Sequence, residues 1–181
     1  MDENIVPVVE QNLPRKKYSV LWFALILVVA FDQWTKWLVR KNIPLNTSWL
    51  PDSLGWLSPY ARFTYIQNSG SSFGMFQNGK AFLTILTFLI IAGAIYYVLT
   101  VDFADAWTLA AAGLYIGGAI GNLIDRLTIG SVTDFVSVGT FYIFNVADAS
   151  INISVAMLVL TLLIHERRKP IMKKTTEGEI L

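Results

Sequence analysis

Asp32, Asn122, Asp125, Arg126, Asn145 and Asp148 stand at or near the ends of long apolar runs, and Asn68 and Asp134 in the loops between them. A carboxylate in hydrocarbon costs about 2.5 to 3.5 kcal/mol at mid-membrane and less toward the edge, so acids in such places need a reason. Two carboxylates held close in a dry setting cannot both ionise cheaply and therefore share a proton. The ionised member can then draw a proton from a water between them while the protonated member polarises a peptide carbonyl, and nearby asparagines orient both without adding charge. Each acid also has a plain structural reading. Asp148 can cap the helix that follows it, Asp134 can be a loop acid, and Asp32 with Lys36, spaced i, i+4, can form an ion pair on a helix surface. Asp125 and Arg126 are adjacent at a helix end and face different ways, which makes Arg126 an interface or phosphate partner rather than the mate of Asp125.

Other chemistries fit less well. Residues 70–74, "GSSFG", match the G-x-S-x-G elbow of serine hydrolases, but Ser72 needs a base, and the single histidine, His165, is set at the far end of the last apolar run. Lys36 or Lys80 could serve only with a depressed pKa. With no cysteine in the chain, disulfides, thiolate metal sites and a cysteine nucleophile are all excluded. Asp and Asn oxygens also suit Mg²⁺, which leaves a metal-dependent membrane lipid or phosphate-transfer enzyme as an alternative. An ion or solute carrier is another, but it wants polar residues through the depth of its spans.

The elements that must position these residues follow from composition. Hydrophobic residues make up 54% of the 181 and charged ones 15%, against about 25% charged in soluble domains, so this is a membrane protein. A net charge of +1 provides no basic field for nucleic acid. Uncharged apolar runs cover residues 19–31, 81–101, 106–124 and 149–164, and they predict four transmembrane helices. The first reaches the roughly 20 residues a span needs only by including Asp32 and running on through Trp34 and Trp37, whose rings suit the interface. It resembles a secretory signal after "PRKK", but "FDQWTKW" stands where a small-residue cleavage site is needed, which makes it a retained anchor.

Arg15, Lys16 and Lys17 precede the first run and Arg167, Arg168 and Lys169 follow the fourth, so the positive-inside rule puts both ends in the cytoplasm. The outer loops then run over about 41–80 and 126–147, and every residue named at the outset falls at the extracytoplasmic membrane level. Gly113, Gly117 and Gly121 repeat every four residues on the third span and predict close helix packing. "ARFTYIQ" reads as a strand and residues 44–60 as turns with tryptophans suited to a lipid surface. The expected fold class is an all-α membrane protein, a four-transmembrane-helix bundle with a small extracytoplasmic β-rich cap.

"DQWTK" (32–36), "NSGSSFG" (68–74), "GNLIDR" (121–126), "VTDF" (132–135) and "FNVAD" (144–148), in this order in a four-span chain, resemble the signal peptidase II family of bacterial lipoprotein signal peptidases. The resemblance covers residues 18–168, leaving 1–17 and 169–181 as cytoplasmic segments. It implies an aspartic endopeptidase of the inner membrane that cuts prolipoproteins before their diacylglyceryl-modified cysteine, with Asp134 and Asp148 as the catalytic pair. Asp32, Lys36, Asn68, Gly70, Asn122, Asp125, Arg126 and Asn145 are implied to shape the pocket and hold substrate or the acids. No metal or organic cofactor is implied, the partners are prolipoproteins and membrane lipids, the inhibitor globomycin should enter the same pocket, and a monomer is expected. Ser71 and Ser72 stand where the family has alanines, and the connection from Asp134 to Asp148 is short, which bears on substrate selectivity.

Overall fold

The computed structural model describes residues 16–70, 80–101 and 105–168. Four helices, α1 (Lys16–Asn42), α2 (Lys80–Thr100), α3 (Ala106–Thr128) and α4 (Val146–Arg168), are each long and apolar enough to cross a membrane. Three strands, β1 (Ser48–Trp49), β2 (Ala61–Asn68) and β3 (Val132–Val138), form an antiparallel sheet in the order β1-β2-β3. Sheet and helix ends meet where α1 and α3 finish and α4 begins, so the polar residues do converge on one end of the bundle. Residues 71–79, with Ser71 and Ser72, and the segments 1–15 and 169–181 lie outside the described residues.

The helix α3 is central: 50% of its apolar window is buried, against 22% for α1 and 17% for α2 and α4. The predicted glycine stripe explains how. A Cβ on Gly113 would collide with the Leu21 carbonyl, and one on Gly117 would lie 2.9 Å from the Leu25 carbonyl oxygen, so α1 packs backbone against α3. Gly118 faces the other way, where a Cβ would come within 2.6 Å of the Ala147 carbonyl oxygen of α4. Asp105 caps α3, accepting from the Thr108 amide at 2.7 Å. At its other end, the amides of Ile129 and Gly130 both donate to the Asp125 carbonyl, and Gly130 takes φ 79°, a left-handed turn suited to glycine that sends the chain into β3.

The helix α1 includes Asp32 and runs on through Trp34 and Trp37 to Asn42, as expected, because Lys36 neutralises Asp32 within the helix; Pro44 then blocks continuation. Strand β2 contains the predicted "ARFTYIQ", whereas β3 occupies a stretch read only as loop. Its partners on β2 include Ile66 opposite Asp134 and Asn68 opposite Val132. Beyond β3 the chain doubles back, with Val136 and Phe144 bridged by amide-carbonyl bonds of 2.7 and 3.1 Å. The short connection from Asp134 to Asp148 is therefore a tight return that sets Asn145 beside Asp134.

Close packing along α1 and α3 yields a paired prediction. Gly113→Ala should destabilise the fold by about 1 to 3 kcal/mol through overpacking against Leu21. Gly93→Ala on α2, where a Cβ meets nothing within 4 Å, should cause no loss. Thermal unfolding in detergent micelles reads both.

Candidate active site

The start of α4 organises one half of the site. Asn145 is its cap: the Asn145 Oδ1 accepts from the Asp148 amide at 2.9 Å, while Asp148 Oδ2 lies 3.4 Å from the Asn145 amide it accepts from. This is a reciprocal capping box, so Asp148 occupies the third helical position and is not itself the cap, contrary to the plain reading of the sequence. A second unpaired amide of the first turn, that of Ala147, donates to Asp32 Oδ1 at 2.9 Å.

Asparagines link the acids. Asn122 Nδ2 donates to Asp148 Oδ1 at 2.8 Å, and Asn145 Nδ2 donates both to Asp134 Oδ1 at 2.7 Å and to Asn122 Oδ1 at 3.1 Å. From β2, Asn68 Nδ2 reaches Asp134 Oδ2 at 2.9 Å, and its Oδ1 accepts from the Gly70 amide at 3.0 Å. Asn68, Gly70, Asn122, Arg126, Val132, Asp134, Tyr142 and Asp148 line a cavity of about 30 Å³. That is room for a water between Asp134 and Asp148. Burial pushes the Asp134 carboxyl up to about 7; the Asp148 carboxylate adds to the rise, against the amide bonds from Asn68 and Asn145 and the charge of Lys36.

Behind the cavity lies a buried charge cluster. Lys36 Nζ sits 2.9 Å from Asp32 Oδ2, 3.5 Å from Asp125 Oδ2 and 3.0 Å from Asn122 Oδ1, with Lys36, Asp32 and Asp125 all at 0% exposure. The Asp32–Lys36 pair is thus a buried one and not on a helix surface, because α3 places Gly121 against it; a Cβ there would lie 2.6 Å from Asp32 Oδ2. Asp125 points away from Asp148: its Oδ2 accepts from the Thr133 amide at 2.8 Å and its Oδ1 lies 3.4 Å from Arg40 Nη1. Arg126, next in sequence, faces the cavity and comes within 3.5 Å of Thr87 Oγ1, which makes it part of the site wall rather than a separate interface residue.

Sequence reasoning passed over Gln33, Arg40, Thr133 and Tyr142. Gln33 Nε2 donates to the Gly121 carbonyl at 3.0 Å and to Asp32 at 3.2 Å. Arg40 follows Lys36 by one helical turn, a spacing that could have placed it on the Asp32 face. His165 is in the last turns of α4, about 25 Å along the helix from Asp148, too far to serve as a base here.

A family model described as signal peptidase (SPase) II matches residues 24–164, which take in the sheet, α2, α3 and most of α1 and α4. The chain belongs to the signal peptidase II family. It is 37% identical over 141 residues to a lipoprotein signal peptidase of Streptococcus thermophilus (strain CNRZ 1066), covering 77% of this chain and 89% of that one. To one of Symbiobacterium thermophilum it is 35% identical over 147 residues, covering 79% and 93%. A bacterial membrane enzyme solved by the in meso method at 2.3 Å resolution superposes with TM-score 0.73 at 26% identity, over 90% of this chain and 95% of that one. Every site residue predicted from the signal peptidase II resemblance falls inside the matched segment, and the four-span bundle with its small sheet is the expected fold.

Lys36 is the cation on which the cluster's neutrality rests. Lys36→Met leaves Asp32 buried without a cation and Asp125 with Arg40 alone, and should cost about 3 to 5 kcal/mol, read as a lowered unfolding temperature in detergent.

Proposed function

We propose that this signal peptidase II family member is an aspartic endopeptidase that removes signal peptides from prolipoproteins, cutting before the diacylglyceryl-modified cysteine. The observation that carries this reading is the water-sized cavity shared by Asp134 and Asp148, each carboxyl held by an asparagine amide. Asp148 is the base. It sits in the first turn of α4, where the helix dipole favours negative charge. Asp134 carries the shared proton, in keeping with its raised pKa.

Catalysis then runs in two steps. Asp148 takes a proton from the water, whose oxygen bonds to the scissile carbonyl carbon while Asp134 gives its proton to the carbonyl oxygen. In collapse, Asp148 passes its proton to the leaving amine nitrogen, the C–N bond breaks, and Asp134 recovers a proton from a hydroxyl of the tetrahedral intermediate. Arg126, beside the cavity, offers N–H donors to substrate carbonyls. A metal-assisted route is less well supported, because the acid oxygens it needs are already bonded to Lys36, Arg40 and amides.

The basic residues around 15–17 and 167–169 support an orientation with both termini in the cytoplasm and the site at the outer face of the inner membrane. There a prolipoprotein presents its modified cysteine at the lipid boundary, and globomycin binds over the same pair of acids and closes them off from substrate. The protein acts as a monomer.

The deciding assay follows cleavage of a diacylglyceryl-modified prolipoprotein in liposomes. Asp134→Asn and Asp148→Asn should each lower the rate by about 10²-fold or more with the fold intact, and EDTA should have no effect. Normal cutting by either variant sinks the pair; inactivity confined to Asp125→Asn hands the role to that residue.

Activity should also fall as pH rises through about 7. A carboxyl raised to that value keeps its proton below it and loses it above, leaving two carboxylates and no acid for the carbonyl oxygen. The rate measured from pH 5 to 9 checks this; a rate still climbing past pH 8 contradicts it.

A further inference from the structure

Arg40 belongs to no motif that identifies the family, yet its guanidinium touches two elements of the site at once. Nη1 lies 3.0 Å from Thr133 Oγ1 and 3.4 Å from Asp125 Oδ1. Thr133 is fully buried, and its amide is already held by Asp125 Oδ2 at 2.8 Å. The residue immediately before Asp134 is therefore gripped from α3 through its backbone and from α1 through its side chain.

The same guanidinium changes the charge balance behind the site. Asp32 and Asp125 carry two negative charges against the one positive charge of Lys36, and Lys36 must also serve Asn122, whose amide orients Asp148. With Arg40 the cluster is neutral. Without it, Asp125 competes harder for Lys36, and an uncompensated negative charge remains behind the pair in a medium of low dielectric.

We propose that Arg40 is a positioning residue of the peptidase reaction: it fastens β3 to α1 at Thr133, and by neutralising Asp125 it leaves Lys36 free to hold Asn122 against Asp148. The inference rests on the Asp134–Asp148 reading. With a side chain 26% exposed, Arg40 is at the margin of the cluster, where substitution need not collapse the fold.

The charged groups facing Asp134 are Asp148 on α4, Arg126 on α3 and Lys36 on α1. Removing Arg40 adds net negative potential to this set, which favours the protonated carboxyl and moves its loss to higher pH. Arg40→Met should therefore shift the alkaline limb of kcat upward by about half a unit or more and lower kcat at least about fivefold, with KM within about twofold. Arg40→Lys keeps the charge without the fork, so it should restore the limb while kcat stays reduced. Thr133→Val removes only the strand contact and should lower kcat without moving the limb.

The measurements are kcat, KM and pH profile on the lipid-modified prolipoprotein in liposomes, with unfolding temperatures taken alongside. Profiles of Arg40→Met and Arg40→Lys that superimpose on wild type with kcat within twofold overturn the proposal, as does a limb in Arg40→Lys displaced as far as in Arg40→Met. If Arg40→Met fails to fold, Arg40→Lys and Thr133→Val decide: both must lower kcat, and neither may move the limb. Failure of the underlying reading shows separately, as cleavage by Asp134→Asn or Asp148→Asn.

Discussion

A single ammonium group, that of Lys36, is the constraint on which this end of the molecule depends. Burying Asp32 and Asp125 in an apolar bundle is tolerable because Lys36 lies between them, 2.9 and 3.5 Å away, with Arg40 at the margin beside Asp125. Each acid, paired in this way, does separate work. Asp32 satisfies an orphan amide at the start of α4 through Ala147, and Asp125 clamps β3 through Thr133. The third bond of Lys36, to Asn122 Oδ1, fixes which face of that amide is the donor and so aims its Nδ2 at Asp148. One charge thus registers α3, α4 and β3 against α1, and the two acids of the cavity inherit their separation from that registration.

Such a cluster survives in a membrane protein only if it is complete. Among the described residues, no buried side-chain nitrogen or oxygen lacks a hydrogen-bond partner. In hydrocarbon every unmet polar group costs several kcal/mol, so a partial network would drive the helices apart rather than hold them. Close glycine packing makes completion possible: with Gly121 against Asp32 and Gly118 against α4, the helix backbones come near enough for short side chains to span the gaps. The apolar faces of α2 and the lower halves of α1 and α4 remain turned outward, as lipid contact requires.

Much of this was legible in the sequence, and the reason differs from residue to residue. The four spans follow from run length, because a bilayer imposes a minimum on each. Glycines repeating every four residues announced a packing face, and they pack as read. The strand in "ARFTYIQ" alternates apolar and polar side chains and was recoverable; β3 was not, since Val132, Thr133, Asp134 and Phe135 are all buried and a strand covered on both faces shows no alternation. Local rules also misjudged the Asp32–Lys36 pair. The i, i+4 spacing gives the pairing, but whether the pair sits on a surface or in a core depends on what α3 brings against it.

The sequence by itself determined the membrane character, the number of spans and the gathering of acids and asparagines at one end, because these depend on composition and on distance along the chain. It also carried the family through motifs in fixed order. Only the tertiary structure decided that Asp125 turns to Arg40 and Thr133 while Asp148 turns to the cavity, and that Asn145, not Asp148, caps α4. Those choices are made by contacts between residues as much as 115 positions apart, as in the bond from Ala147 to Asp32, and no local pattern encodes which of several buried acids an approaching cation or amide will meet.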